Sequence, residues 1–488
     1  MDQLIASFLD DGSRVSWEEP VPVPSIVDAY PDVLARAQQR TRRAESVVIC
    51  EGTIGGRRVA VVGGDMQFLG GSIGVAAAER LTRAIERATA EGLPIIALPV
   101  GGGTRMQEGT VAFLQMVKIT TAVMAHKASH LPYLVYLRNP TMGGVFASWG
   151  SLEHVTFAQP GALVGFLGPR VYEALYQSPF PEGIQHADHL AELGVIDSVL
   201  PPEALGKAFA RILTVMCDRP TGHEPHESHA PAELLDLHPW ESITRTRRDD
   251  RPGIRDLLEV AATNVTMLNG TGDGETHPGS VLALAQWGNA SCVVVGQDRT
   301  DQGRALDPAA LREVRRGMRV ARELELPLVS VIDTSGAALS KEAEERGMAP
   351  EIARTLSELL VLPTPTVSLL MGQGTGGIAL ALAPADRIVA CEHAWLAPLP
   401  PEGASAILHA DTSHAREMAA AQGVRARDLM DVGIVDRIVP EPDDPARDRV
   451  AFCEELGHVL HDAVLRVVAM PDEERMQRRH RRFRTLGW

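Results

Sequence analysis

The chain is short of the residues that would place it in several function classes. Aromatic side chains make up only 4% of its 488 residues, so a core has to be built from Ala, Val, Leu and Ile, as in layers of strands and helices. The five cysteines (Cys50, Cys217, Cys292, Cys391 and Cys453) are odd in number and scattered, with no CxxC pair. That leaves no readable zinc ribbon, metal site or disulfide framework and predicts reduced, partly buried thiols in a cytoplasmic protein. Positive charge is in deficit: 47 Lys and Arg stand against 63 Asp and Glu, a net charge of −16. This argues against nucleic-acid binding, because phosphate contacts need a basic surface. No apolar run reaches about 18 residues, so no membrane span is expected. The opening MDQLIASFLDDGSRVSWEEP carries early acids and no long apolar core, unlike a signal peptide.

What is present is a repeat. Pro94 opens the apolar run IIALPV, which ends in Gly101-Gly102-Gly103. Pro132 opens YLVYL, followed by Gly143-Gly144. In the second half Pro327 opens LVSVID, which runs into Thr334-Ser335-Gly336. Pro365 opens TVSLLM, and Gly376-Gly377 follow. The offsets agree, since 327 − 94, 365 − 132 and 376 − 143 all equal 233. A later echo, LGVID at 193–197 and VGIVD at 432–436, is 239 apart. A duplicated α/β domain is implied, each copy of about 230 residues.

The punctuation supports this. A hairpin is predicted over 46–68 with its turn at Gly55-Gly56-Arg57, then an amphipathic helix through AAAERLTRAIERATAE, a proline-led strand, and a helix from Met106 to His126. Strand, helix, strand, helix with short connections is the rhythm of parallel crossovers. Residues 1–45 read as an N-terminal extension, 46–217 as the first domain, 218–252 as a linker and 253–488 as the second domain, the boundary falling near 238. His223, His226 and His229 have a metal-like spacing, but in a Pro-containing polar linker they read as solvated.

Each copy ends a buried strand in glycines and starts a helix at once. First-turn N–H groups of a helix have no internal partner. Two of them aimed at a carbonyl oxygen form an oxyanion hole. Gly143-Gly144 and Gly376-Gly377 are the candidates; the plainer reading is that they permit tight strand–helix packing.

The motifs GGSIG (70–74), GGGTRMQEG (101–109), LPYLVYLRNPTMGGVFASWG (131–150) and ALVGFLGPRV (162–171) resemble the β subunit of acetyl-CoA carboxylase carboxyltransferase. LPLVSVIDTSGAALSKEAEERG (326–347), GQGTGGIALALAPADRI (372–388) and LAPLPPEGASAIL (396–408) resemble its α subunit. The chain looks like a natural β–α fusion of the crotonase-like superfamily. The resemblance implies two tandem crotonase-like α/β domains of repeated ββα units. It also implies transfer of carboxylate from biotin, carried on a partner protein, to acetyl-CoA or propionyl-CoA, as in fatty acid biosynthesis. The expected partners are a biotin carboxyl carrier protein and a biotin carboxylase, and the active unit is at least a homodimer. Gly143 and Gly144 would hold the thioester oxygen, while Gly376, Gly377 and Ile378 would face biotin. Gly71, Ser72, Gly102, Gly103, Arg105, Gly168 and Arg170 are the CoA-side candidates. Biotin nitrogen takes the α-proton, so no side-chain base is required.

The pattern departs from the family in three places. The four-cysteine zinc ribbon of many β subunits is absent. GEGGSGGA becomes GQGTGGIA, so that Thr375 and Ile378 replace glycines and the branched Ile378 is expected to crowd a biotin ring. DTPGAYPG becomes DTSGAALS. Changes on the biotin side keep open a biotin-independent decarboxylase of a malonyl-type thioester, and beyond it a non-catalytic acyl-CoA-binding subunit. Arg105 either meets a CoA phosphate or pairs with Glu108 or Glu79. Gly168-Pro169-Arg170 either shapes the acyl pocket or is a plain turn. The basic stretch RMQRRHRRFR (475–484) either draws in an anionic cofactor or acidic carrier or is a solvated helix face.

Overall fold

A computed structural model describes every residue except 20, 22–29, 220–233, 300–304, 485 and 487–488. His223, His226 and His229 lie outside the described residues, as does the side chain of Arg170. Contacts divide the chain into two compact units, Met1–Cys217 with Gly272–Gly274, and Asp218–Thr271 with Glu275–Trp488.

In the first unit the strands are β1 (Val15–Ser16), β2 (Val47–Ile54), β3 (Arg57–Gly64), β4 (Ile95–Leu98), β5 (Tyr133–Leu137), β6 (Thr141–Met142), β7 (Val155–Ala158), β8 (Val164–Gly165) and β9 (Ser198–Val199). Seven form one sheet in the order β1-β2-β3-β4-β5-β7-β9, and β6 pairs with β8. The β1–β3 pairings are antiparallel and the ladder from β3 to β9 is parallel. Strands β4 and β5 are buried throughout, as expected for strands covered on both faces. The helix Val75–Ala90 buries Ala77, Ala78, Leu81, Ala84, Ile85 and Ala88, a three-and-four spacing that forms one apolar stripe.

The second unit repeats the arrangement with β10 (Thr263–Leu268), β11 (Ser280–Trp287), β12 (Ala290–Gln297), β13 (Leu328–Thr334), β14 (Thr366–Thr375), β15 (Arg387–Cys391), β16 (Trp395–Ala397) and β17 (Arg437–Val439). Its sheet runs β10-β11-β12-β13-β14-β15-β17, with β16 on β14.

The sequence repeat is the structural repeat, residue by residue. Val47 pairs with Gly64 and Ser280 with Gln297; Ala60 pairs with Ile95 and Val293 with Leu328; Ile95 pairs with Tyr133 and Leu328 with Thr366. Each second pair is the first plus 233. The leading prolines have a role in this: the Pro94 and Pro327 carbonyls accept from Ala60 N and Val293 N, and those of Pro132 and Pro365 from Ile95 N and Leu328 N, all at 2.9 Å. The later echo is explained too. The Asp197 carboxylate accepts from Thr156 N at 2.8 Å, and that of Asp436 from Ile388 N at 2.7 Å, fixing the start of β7 and β15.

Two expectations need correcting. The boundary near 238 moves to Cys217/Asp218, because the second half of the expected linker is the helix Pro239–Thr246, whose Ile243 is buried with Trp395, Ala397, Ala419 and Val424. The basic tail is neither a solvated face nor an anion lure along its inner side. It forms the helix Asp472–Arg484, with Arg475 and Arg479 fully buried. Both donate to Asp386, at 3.1 Å from Arg475 and at 2.7 and 2.9 Å from Arg479, and to carbonyls of residues 359–364.

Candidate active site

In the first unit three loops are laced by backbone hydrogen bonds. Ile73 N donates to Gly103 O and Arg105 N to Ile73 O, both at 2.9 Å. Gly101 N donates to Pro140 O at 2.7 Å and Met142 N to Gly101 O at 3.0 Å. This places GGSIG beside GGGTR, and GGGTR beside TMGGV. Gly143 begins a short helix, Gly143–Phe146, with φ of +59°, a conformation that favours glycine. A Cβ on Gly143 would lie 3.0 Å from Gly102 O, and one on Gly103 would lie 3.0 Å from Gly144 N. The structure thus brings Gly102, Gly103, Gly143 and Gly144 together, with the first-turn amides of the helix at a half-buried opening.

The other first-unit candidates fall differently. Gly71 is buried, and a Cβ there would meet Val100 O at 2.7 Å, so it locks one loop against the next. Ser72 Oγ donates to Leu69 O at 2.8 Å, and its carbonyl accepts from Ser46 Oγ at 2.8 Å. Gly168 is the N-cap of the helix Pro169–Tyr176. Arg105 is corrected. Its guanidinium is wholly buried and bidentate on Glu45 at 2.7 and 2.8 Å, with Glu108 at 3.2 Å, Tyr30 OH at 3.3 Å and Ser72 O at 3.0 Å. Burial opposes its charge, but the bonds to Glu45 outweigh that and raise its pKa. Of its two expected carboxylate partners Glu108 is present, while Glu79 pairs with Lys118 and Arg83. Glu108 also accepts from Val75 N at 2.6 Å and from Tyr30, whose hydroxyl is pushed up to about 12 by burial and by that carboxylate. Tyr30 and Glu45, placed by sequence in an extension, therefore belong to the scaffold of the glycine loops.

The second unit repeats the lacing. Ala338 N donates to Leu306 O at 2.9 Å, the counterpart of Arg105 and Ile73. Thr334 pairs with Gly374 as Gly101 does with Thr141. Gly376 opens the helix Gly376–Leu382 with φ of +70°. Asp333 underlies this loop: it accepts from Arg299 at 2.7 Å and from Gln373 N at 2.9 Å. A Cβ at Gly372 would lie 2.5 Å from that carboxylate. Asp333 is the first residue of DTSGAALS, but its role comes from a charge partner 34 residues away, Arg299.

Ile378 does not crowd the opening. Its side chain is 1% exposed and packs inward with Leu306, Ala310, Leu311 and Ala381. It stands 233 residues after Val145, which is likewise fully buried, so both helices offer an amide and hide a branched side chain. Thr375 is buried, and its Oγ1 has no hydrogen-bond partner among the described residues. In the loop that departs from the family pattern, Ser340 caps the helix Lys341–Glu345 by accepting from Ala343 N at 3.2 Å.

Among the described residues no helix is long and apolar enough to cross a membrane. Four cysteines are buried and Cys217 partly so, and among the described residues none forms a disulfide.

Comparison with known proteins gives a consistent picture. The family described as acetyl co-enzyme A carboxylase carboxyltransferase-like matches residues 225–487. The probable biotin-dependent acyl-coenzyme A carboxylase beta3 subunit of Mycobacterium tuberculosis (strain ATCC 25618 / H37Rv) is 54% identical over 490 residues, covering 100% of this chain and 98% of the relative. The acetyl-coenzyme A carboxylase carboxyl transferase subunits beta/alpha of Salinispora tropica are 35% identical, covering 99% of this chain and 90% of the relative. Among solved structures, the transcarboxylase 12S hexamer with methylmalonyl-coenzyme A and methylmalonic acid bound superposes with a TM-score of 0.72 at 19% identity, covering 93% of this chain and 89% of that one. The fold is accordingly the two-domain crotonase-like fold expected from the motifs. The glycine-led helix starts, the duplicated register and full-length similarity agree: the chain belongs to the acetyl-CoA carboxylase carboxyltransferase family.

Proposed function

We propose that the chain is the carboxyltransferase component of a biotin-dependent acyl-CoA carboxylase, acting on acetyl-CoA or propionyl-CoA. The observation that carries this reading is the pair of helix starts at Gly143 and Gly376, alike in register and in left-handed first residue. The amides of Gly143 and Gly144 hold the thioester oxygen as it gains charge on loss of the α-proton. The amides of Gly376, Gly377 and Ile378 face the biotin carbonyl. Carboxybiotin, brought by a biotin carboxyl carrier protein and recharged by a biotin carboxylase, supplies the carboxylate and a nitrogen that accepts the proton. The inward packing of Ile378 leaves room for the ring, which supports the biotin-using reading over a decarboxylase. Gly102, Gly103 and Gly168 fit the CoA side, where small residues permit close backbone approach.

The working unit is a homo-oligomer. The helix Gly109–Ala128 exposes Val111, Phe113, Leu114 and Val117, with Phe113 61% exposed. An apolar face of this kind is suited to burial against another copy of the chain. The deciding assay is malonyl-CoA-dependent carboxylation of free biocytin by the purified chain. Turnover is expected; loss of malonyl-CoA without biocytin would instead indicate a decarboxylase, and thioester binding without either reaction a binding subunit.

A further inference from the structure

In the second unit β14 bulges away from β13 just before the helix start at Gly376. Ile332 pairs with Leu370 and Thr334 with Gly374, so Asp333 alone stands opposite Met371, Gly372 and Gln373. A bulge of this kind takes backbone groups out of the ladder. The Asp333 carboxylate takes up one of them, accepting from Gln373 N at 2.9 Å, and it also accepts from Arg299 at 2.7 Å. Both side chains are buried, Arg299 2% exposed and Asp333 0%. Arg299 is anchored in turn, donating to Thr246 O at 3.0 Å and Arg248 O at 2.6 Å, at the C-terminal end of the helix Pro239–Thr246. The other end of the bulge is held by Arg251, which donates to Met371 O at 2.9 Å.

The first unit makes the same bulge without the ion pair. Ala97 pairs with Val135 and Gly101 with Thr141, again two residues more on the second strand. The offset of 233 holds here, since Asp65 N donates to Ser46 O and Asp298 N to Gly279 O. It sets Met66, Val100 and Pro140 against Arg299, Asp333 and Gln373. Proline has no N–H to satisfy and a fixed φ, so the buried Val100 suffices opposite it. The fold therefore does not require an ion pair at this place, and a buried pair often gains nothing over well-packed apolar residues. What differs is the loop. Residues 372–377 hold four glycines and no proline, whereas 139–144 hold Pro140 and two glycines. A segment with that much backbone freedom needs an outside tether to keep one conformation, and hydrogen bonds to a charged group are the strong ones. On the reading that the amides of Gly376 and Gly377 face biotin, we propose that Asp333 and Arg299 are positioning residues for carboxyl transfer. They fix Gln373 so that the amides three and four residues later keep their aim.

The test is steady-state carboxylation of biocytin from malonyl-CoA by the full chain, with calorimetry of malonyl-CoA binding and a melting curve for each variant. Asp333→Asn keeps an acceptor for Gln373 N and removes the charge that fixes Arg299. It is expected to lower kcat and kcat/KM for biocytin together by at least about tenfold, with malonyl-CoA affinity unchanged. Arg299→Met combined with Asp333→Asn leaves no lone buried charge and serves should the single variant fail to fold. The double variant is expected to melt close to the wild type and to show the same kinetic loss. A pair that only stabilises the fold predicts the reverse, a folded double variant with wild-type kinetics, and that result would overturn the proposal. So would a double variant that does not fold, or a loss of malonyl-CoA affinity as large as the loss in rate. A wild type that does not carboxylate biocytin would overturn the biotin-using reading itself, and the proposal with it.

Discussion

Gly103 and Gly144 meet backbone to backbone, with the position of a Cβ on Gly103 only 3.0 Å from the Gly144 nitrogen. A methyl group there has to displace the amide proposed to hold the thioester oxygen. Gly103→Ala is therefore expected to lower carboxyl transfer about 100-fold, the scale of losing one oxyanion donor. Steady-state kinetics of biocytin carboxylation, with a melting curve as control, checks this. Activity within twofold of the wild type, roughly the noise of such assays on the rate scale, would remove Gly144 from the mechanism.

Gly143 and Gly376 share a left-handed backbone, so an alanine at either costs about 1 to 2 kcal/mol of conformational strain. Their effects on function should part. Gly376→Ala is expected to retain acyl-CoA affinity and lose biocytin carboxylation, while Gly143→Ala loses the thioester side. Calorimetry with the acyl-CoA on both variants separates the two roles.

Asp386 neutralises two buried arginines, Arg475 and Arg479. Asp386→Asn keeps the shape but leaves Arg479 without a carboxylate and Arg475 with only the exposed Asp472, at 2.7 Å. The expected loss is about 3 to 5 kcal/mol, read as a lowered denaturant midpoint with unchanged slope.

His126 is fully buried between Thr89 Oγ1 at 3.0 Å and Pro132 O at 3.2 Å. Burial pushes its pKa down to about 4 from 6.5. The unfolded chain then binds more protons between these values, so this contribution is present above pH 6.5 and is lost as pH falls toward 4. The loss should reach about 3 kcal/mol at the lower end. Denaturation of the wild type and His126→Gln across that range should show the flatter profile in the variant.

Phe113 and Leu114 are exposed on an apolar helix. The double variant Phe113→Glu, Leu114→Glu is expected to reduce the sedimenting mass relative to the wild-type oligomer. An unchanged mass would move the interface elsewhere.

Legibility in the sequence followed the range of the interaction. Proline-led strands, glycine-ended loops and the offset of 233 are local signals repeated in order, and the strand registers obey them pair by pair. Arg105 was ambiguous because its neighbour Glu108 is three residues away, whereas its bidentate partner Glu45 is 60 away. Ile378 looked obstructive because composition says nothing about which way a side chain points. The tail at 475–484 looked solvated because its charge pattern conceals Asp386, which lies 89 residues before Arg475.

By itself the sequence determined the duplication, the α/β layering and the positions of both glycine-led helix starts, since backbone conformation and hydrophobic burial are set by nearby residues and their spacing. Only the tertiary structure decided which polar groups are spent on the scaffold and which are left over. Arg105, Arg475 and Arg479 are neutralised by distant carboxylates, while the buried Nε of Arg80 has no hydrogen-bond partner among the described residues. That distinction depends on which charges folding brings within a few ångströms, where burial makes each pairing, or its absence, count.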